Sequence, residues 1–496
     1  MRPAALFGSR RLCLLLIAAI FAFSRCIYYW MGIRFDTETL DYYWQIIDPV
    51  LLRDDLWRSL FYLRAQLPGF NLYLGLMMHL FPSHLTAAFH MSYLALGLAL
   101  GICLFLLLDR LRLSRPLALL IAVVAMISPV TVLYENWLFY EYPLAMLFCV
   151  AALFLHRYAS RRGPLDGLAL FTSLALIALL RVVYHLMWFW MIVAVLAYVL
   201  PRYRRRTFLC AAAPGAVLSL IYLKSFILFG LWVPGSDVYG ALNLAFLTRF
   251  SVPQETLAGM VAKGAVSPIL LHDLEDDELV HVVPLPPKTG VLILDERLKS
   301  TGRINMDSLW MGAVGRQVRQ DGVVLLRSHP DVTLETIRGN IQQYFLPPDA
   351  DFPFVSGPSA NRELLLPLLR VFDPIVSGNY PGEDYAFISY ITIPVLLCFG
   401  FWRSARWLRR LVRRPRCNAG DVTIAFAFGN IAYLTAVVIL FDFTDQNRMR
   451  FEVFSLFAVL LASLIVFTRW RLRGWQSWAR QFRKAPVGRS RSQQVE

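Results

Sequence analysis

Residues 34–71, RFDTETLDYYWQIIDPVLLRDDLWRSLFYLRAQLPGFN, decide how the chain is read. They follow a first long apolar run and precede most of the others. Six carboxylates (Asp36, Glu38, Asp41, Asp48, Asp54 and Asp55) gather there among aromatic side chains. Charge is costly beside a bilayer, so acids at the mouth of a membrane helix point to function. Leu40, Tyr43, Trp44 and Ile47 recur at three- and four-residue spacing, and Leu52, Leu56, Leu60 and Leu63 repeat the pattern after Pro49. The spacing predicts two amphipathic helices on a membrane surface, with Pro49 opening the second.

Composition agrees with a membrane setting. The 496 residues are 57% hydrophobic and 17% charged, and the mean hydropathy is +0.52. That apolar content is too high for a soluble domain, and it comes in runs near spanning length. The net charge of +15 sits in short clusters between the runs, which is a topology signal and not a nucleic-acid patch. Seven cysteines are scattered with no CxxC and no His/Cys ligand spacing, so neither a disulfide framework nor a zinc site is expected. Arg10-Arg11, the run from Leu12 and Ala22-Phe23-Ser24 look like a signal peptide. The run continues through Tyr28, Tyr29 and Trp30, so an uncleaved first membrane helix is expected, with Arg25 snorkelling outward.

The fold class is therefore an all-α integral membrane protein with about ten transmembrane helices. The expected spans are 12–30, 86–108, 117–133, 142–157, 165–182, 184–200, 208–231, 386–402, 421–441 and 450–468. Arg10-Arg11, Arg110/Arg112/Arg115, Arg157/Arg161/Arg162, Arg202 through Arg206, and Arg403 through Arg416 fall in alternate loops. With both termini inside, every basic cluster is cytoplasmic, provided the short run 70–81 lies at the interface or re-enters without spanning. The chain divides into an N-terminal membrane module (1–231) containing the outer loop 31–71, a segment 232–385 capping the site, C-terminal membrane helices (386–468) and a basic cytoplasmic tail (469–496). The cap should be partly helical, with one strand at VLILDE (291–296). An Arg-rich composition without a retrieval signal favours a bacterial plasma membrane.

Asp36-Thr37-Glu38 is an acid-x-acid triplet. In an extended loop both carboxylates point one way and can share a ligand; in a helix they diverge by about 200°. Asp36 also suits a cap for the helix that follows. The acidic run His272 through Glu278, with His281, and the pair Asp442/Asp445 are the places a divalent cation would go. The first lacks the glycine and oxygen spacing of a known calcium loop, so a solvated acidic loop and no cofactor are expected.

The quoted stretch, followed by AQLPGFNLYLGLMMHLFP (65–82), SPVTVLYENWLFYEYP (128–143), LRVVYHLMWF (180–189), KSFILFG (224–230) and DQNRMRFE (445–452), resembles the GT-C glycosyltransferases. Among these it is most similar to the polyprenyl- or dolichyl-phosphate-sugar-dependent mannosyltransferase-like proteins. Two features depart from the pattern: Leu67-Pro68-Gly69 stands where such proteins usually carry Pro-Pro, and 232–385 is similar to none of them. The resemblance implies transfer of a sugar from a polyprenyl-phosphate donor to a glycan, lipid or protein acceptor on the non-cytoplasmic face, with inversion. Asp36 would be the general base with Glu38 beside it. Arg181, His185, Arg448 and Arg450 would bind the donor phosphate, since guanidinium forks suit phosphate. Glu135, Tyr140, Glu141, Gln66 and Asn71 would orient sugar or acceptor hydroxyls. Arg181 and His185 share a face if their helix continues. Read singly, these are also ordinary interface residues. A lipid-linked oligosaccharide polymerase or ligase is the rival within the class, and a transporter or flippase the rival outside it. A transporter would carry charges mid-span and broken helices in related halves.

Overall fold

The computed structural model describes residues 9–346, 367–368, 387–413, 418–442 and 446–484. Among these all the regular structure is helical, with two isolated bridges and no strand. Helix ends follow local chemistry. Ser9 accepts from Leu12 N–H to open Arg10–Trp30, and prolines sit in the first turn of Arg115–Ile127, Pro129–Glu135 and Pro164–Leu180. Gly230, at φ +68°, closes Arg204–Phe229 in the left-handed region that glycine enters without strain.

Six helices are long and apolar enough to cross a membrane, and Arg115–Ile127 with Pro129–Glu135, bent by 56° at Ser128, makes a seventh if taken as one span. This is the pattern of a multi-pass membrane protein. Two of the remaining expected spans are shorter apolar helices. Pro164–Leu180 has 17 residues and Leu186–Val199 has 14. A 14-residue helix rises only about 21 Å, against an apolar layer of about 30 Å. Phe387–Arg413 is helical but ends in a run of arginines. The 70–81 run forms Gly69–Leu80, a helix of 12 residues that is again too short to span.

Glu141–Arg161 is the central helix, packed against Leu85–Arg110, Pro164–Leu180, Ala419–Phe441 and Phe454–Lys484. Its buried Ala145, Ala151, Ala152 and Ala159 let the neighbours approach closely, as small residues do between membrane helices. The bundle has two distinct ends. Arg204–Phe229 begins in a basic cluster, while Lys224 near its far end donates to Leu63 O at 2.8 Å. Arg10 and Arg115 both reach Asp109 at the basic end.

The opposite end carries the cap. Residues from Val238 to Leu325 bury a second core around Trp310, Met311 and Val314, joined by Ala65 of the first loop. Loop and cap are stitched by polar contacts. Arg64 pairs with Asp237, Lys299 Nζ donates to Tyr43 O at 2.8 Å and Ile46 O at 2.6 Å, and Ser300 donates to Asp48.

Several local expectations are corrected. VLILDE is a single turn, Leu292–Asp295, because the Asp295 carboxylate accepts from Thr289 and Gly290 N–H and closes the loop, with no partner strand among the described residues. The first amphipathic helix shrinks to Thr39–Tyr42. Beyond it, Asn71 takes over the backbone, accepting from Ile47 N–H at 2.8 Å and donating to Gln45 O at 3.1 Å. The second does open at Pro49, with Asp48 accepting from Val50 N–H, but it breaks at Asp55 into Pro49–Asp54 and Leu56–Tyr62.

Candidate active site

Asp36 is fixed by its backbone. Its N–H donates to Asn136 O at 2.7 Å and its carbonyl accepts from Leu138 N–H at 3.0 Å, so the first loop is bridged to the turn between Pro129–Glu135 and Glu141–Arg161. Thr39 Oγ adds a bond to Leu138 O at 2.7 Å. The Asp36 carboxylate accepts from Glu38 N–H at 2.8 Å, a local turn two residues long; the cap position of Thr39–Tyr42 is Glu38, whose side chain makes no capping bond. Asp36 is half-buried and Glu38 exposed. Burial raises the Asp36 pKa, the Glu38 N–H bond opposes this, and the Glu38 charge adds to the rise.

The residues that follow, Tyr42 to Gln45, lead into a cavity of about 570 Å³ under the cap, whose wall contains neither Asp36 nor Glu38. Tyr140, Arg181, His185, Arg448 and Gln66, all predicted from sequence, line it, together with Tyr42, Tyr43, Trp44, Tyr239 and Asp442. The roof is the turn Val233 to Gly240. Its tight approach depends on Gly235 (φ +72°), whose missing side chain leaves room for Ala65 O.

Arg448, in Gln446–Phe451, lies 5.6 Å from the Phe139 ring and 5.8 Å from those of Tyr43 and Trp137. It donates to Tyr43 Oη at 3.2 Å and pairs with Glu141 at 3.4 Å. Arg181 pairs with Glu452 and lies 5.4 Å from the Tyr140 ring; Tyr184 donates to the same Glu452 at 2.9 Å. The Tyr140 phenol is pushed up to about 12, first by burial, with Arg181 and Arg448 opposing and Glu141 and Asp442 reinforcing. The helix carrying Arg181 stops at Leu180, so Arg181 and His185 do not share a helical face. Tyr184 N–H turns back to Arg181 O at 3.1 Å, and His185 caps Leu186–Val199. The turn nonetheless delivers both to the cavity, and burial lowers the His185 pKa.

Other predicted residues lie elsewhere. Glu135 is fully buried and chelated by Arg25, at 2.7 and 2.6 Å, with Tyr142 donating at 2.7 Å. Arg25 therefore turns into the bundle and does not snorkel, because a buried carboxylate needs its fork. Arg450 donates to Tyr344 O at 2.6 Å and Leu346 O at 2.9 Å, closing the end of Pro330–Phe345. Asn71 holds loop backbone, as described above, and Glu141 stands behind Arg448. In the acidic run, His272, Asp276 and Glu278 place ligand atoms within 4.8 Å of one another, but His272 already bonds Asp276 at 3.0 Å. Asp445 lies outside the described residues.

Two contributors were missed by sequence reasoning. Glu452 anchors Arg181, and its signal was the acid closing DQNRMRFE. The aromatic cradle of Tyr43, Trp137 and Phe139 around Arg448 had no sequence signal, since its members come from two distant loops. The class that fold and site define is a multi-pass helical membrane protein with a capped polar and aromatic cavity at one end. Compared with protein-family models, characterised proteins and solved structures, the chain matches none.

Proposed function

We propose that the protein is a membrane glycosyltransferase that moves a sugar from a polyprenyl-phosphate donor to an acceptor hydroxyl, at the capped cavity, on the non-cytoplasmic face. The observation that carries the reading is the convergence of Arg181, His185, Arg448, Tyr140 and Gln66 on one cavity at the cap end. Aromatic walls suit a sugar ring, whose C–H faces pack on π surfaces. Guanidinium groups suit the phosphate, whose charge grows as the glycosidic bond breaks. Glu141 and Glu452 offset the charge of the two arginines, so donor recognition rests on the shape and aromatic walls of the cavity more than on net charge. Asp36, which abuts Tyr42 electrostatically, takes the acceptor proton. Attack opposite the departing phosphate inverts the anomeric centre. The basic end faces the cytoplasm in this reading, in a bacterial plasma membrane, and the shorter apolar helices complete about ten spans. A transporter would need a second broken helix in a related half; among the described residues one bent pair occurs.

The test is turnover of a panel of polyprenyl-phosphate sugars by purified protein, including slow hydrolysis to water. Wild type should consume one donor, with loss of at least 100-fold in Asp36→Asn. Loss in Asp442→Asn with Asp36→Asn unaffected would move the base to the carboxylate lining the cavity. No donor consumed by wild type would overturn the reading.

A further inference from the structure

We propose that the basic end of the bundle holds a second ligand site, a pocket for a phosphate anion carried by an anionic phospholipid headgroup or by a soluble phosphate. A cavity of about 590 Å³ opens there, at the opposite end of the helices from the capped one. Five arginines from two separate elements line it. Arg110 ends Leu85–Arg110, and Arg112 follows in a left-handed turn at φ +66°. Arg403, Arg406 and Arg410 come from one face of Phe387–Arg413. The start of Ala419–Phe441 closes the wall at Asn418 and Gly420, adding the positive end of a helix of 23 residues.

Little of the charge gathered in this cavity is compensated there, and its convergence on one concavity sets it apart from the other basic residues at the same end. Arg10 and Arg115 share Asp109, and Arg157 pairs with Asp166. In the cavity Arg403 alone is paired, with Asp421; Arg110, Arg112, Arg406 and Arg410 have no carboxylate partner among the described residues. An anion seated in the concavity can accept from several of these guanidinium forks at once. His156, buried beside them, meets Thr423 Oγ at 3.2 Å and adds a polar wall. Leu111, Ile424, Val466 and Phe467 line the same cavity, an apolar side that suits the glycerol and upper acyl part of a lipid. The site does not depend on the transferase reading.

The experiment is thermal unfolding of the full-length protein in detergent with phosphatidylglycerol, phosphatidylcholine, or inorganic phosphate against chloride at equal ionic strength. Phosphatidylglycerol or phosphate should raise Tm by several degrees. The exposed double variant Arg406→Gln/Arg410→Gln should lose more than half of that shift, and Arg410→Gln alone part of it. Arg204→Gln/Arg205→Gln, which removes equal charge outside the cavity, should keep it. A shift with phosphatidylglycerol alone assigns the lipid, and one with phosphate assigns a soluble anion. Equal loss in both double variants, or no shift beyond the phosphatidylcholine and chloride controls, would overturn the proposal.

Discussion

Burial raises the Asp36 pKa, so the folded protein binds that proton more tightly than the unfolded chain does. Below the ordinary carboxylate pKa both states are protonated and the group is neutral in its effect. As pH rises from that value through the raised one, ionisation costs stability, and the cost is complete at neutral pH. Asp36→Asn removes the charge yet keeps an oxygen to accept from Glu38 N–H. At pH 7 the variant should therefore melt at or above the wild-type temperature while losing turnover; an inactive variant that melts lower would make Asp36 a loop anchor. The Arg25–Glu135 pair behaves oppositely. Glu135→Ala or Arg25→Ala alone strands a buried charge and should cost about 3 kcal/mol, with the double variant costing clearly less than the sum. Additive losses in thermal unfolding would show that the two act separately. At this scale the sequence identified side chains better than partners. Arg181, Arg448 and Tyr140 were singled out through the resemblance, since cations and aromatics near span ends are ordinary interface residues when read one at a time. That Arg181 would meet Glu452, or that Arg25 would turn inward to Glu135, depends on helix packing that no local pattern encodes.

Among elements, the short Gly69–Leu80 helix is seated by a backbone approach. A Cβ at Gly69 would lie 2.7 Å from Leu179 O and 2.8 Å from its carbonyl carbon. Backbone cannot swing away as a side-chain tip can, so Gly69→Ala should destabilise by about 1–3 kcal/mol in thermal unfolding; an unchanged Tm would mean the helix is free to shift. Gly69 adjoins Gln66 and the loop that lines the cavity, so turnover should fall as well. Long helices were legible from apolar runs and from Pro and Gly punctuation. The surface helices of 37–63 were legible as amphipathic but not as broken, because Asn71 and the Asp55 kink decide the backbone through tertiary contacts. The VLILDE turn follows the same rule: strand-forming residues with no partner strand among the described residues are closed by Asp295 into a single turn.

For the whole molecule, polarity organises the account, with basic clusters at one end and the cap with its cavity at the other. Expectation and structure agree on that separation because alternating loops must emerge at alternate ends of a bundle. The cap's architecture was not legible, since its core around Trp310 borrows Ala65 from the first loop and shows no simple periodicity. Orientation can be read in intact cells lacking native cysteines. Ser251→Cys, exposed in the cap, should react with an impermeant thiol reagent, whereas Arg205→Cys should react only after permeabilisation; the reverse pattern would invert the topology. The central claim is that the capped cavity receives a lipid-phosphate sugar, and photocrosslinking tests it most directly. A polyprenyl-phosphate sugar with a diazirine on the sugar should label, saturably, peptides containing Tyr140 and Arg448–Met449. Saturable labelling confined to other regions, including the basic-end cavity, would contradict the account.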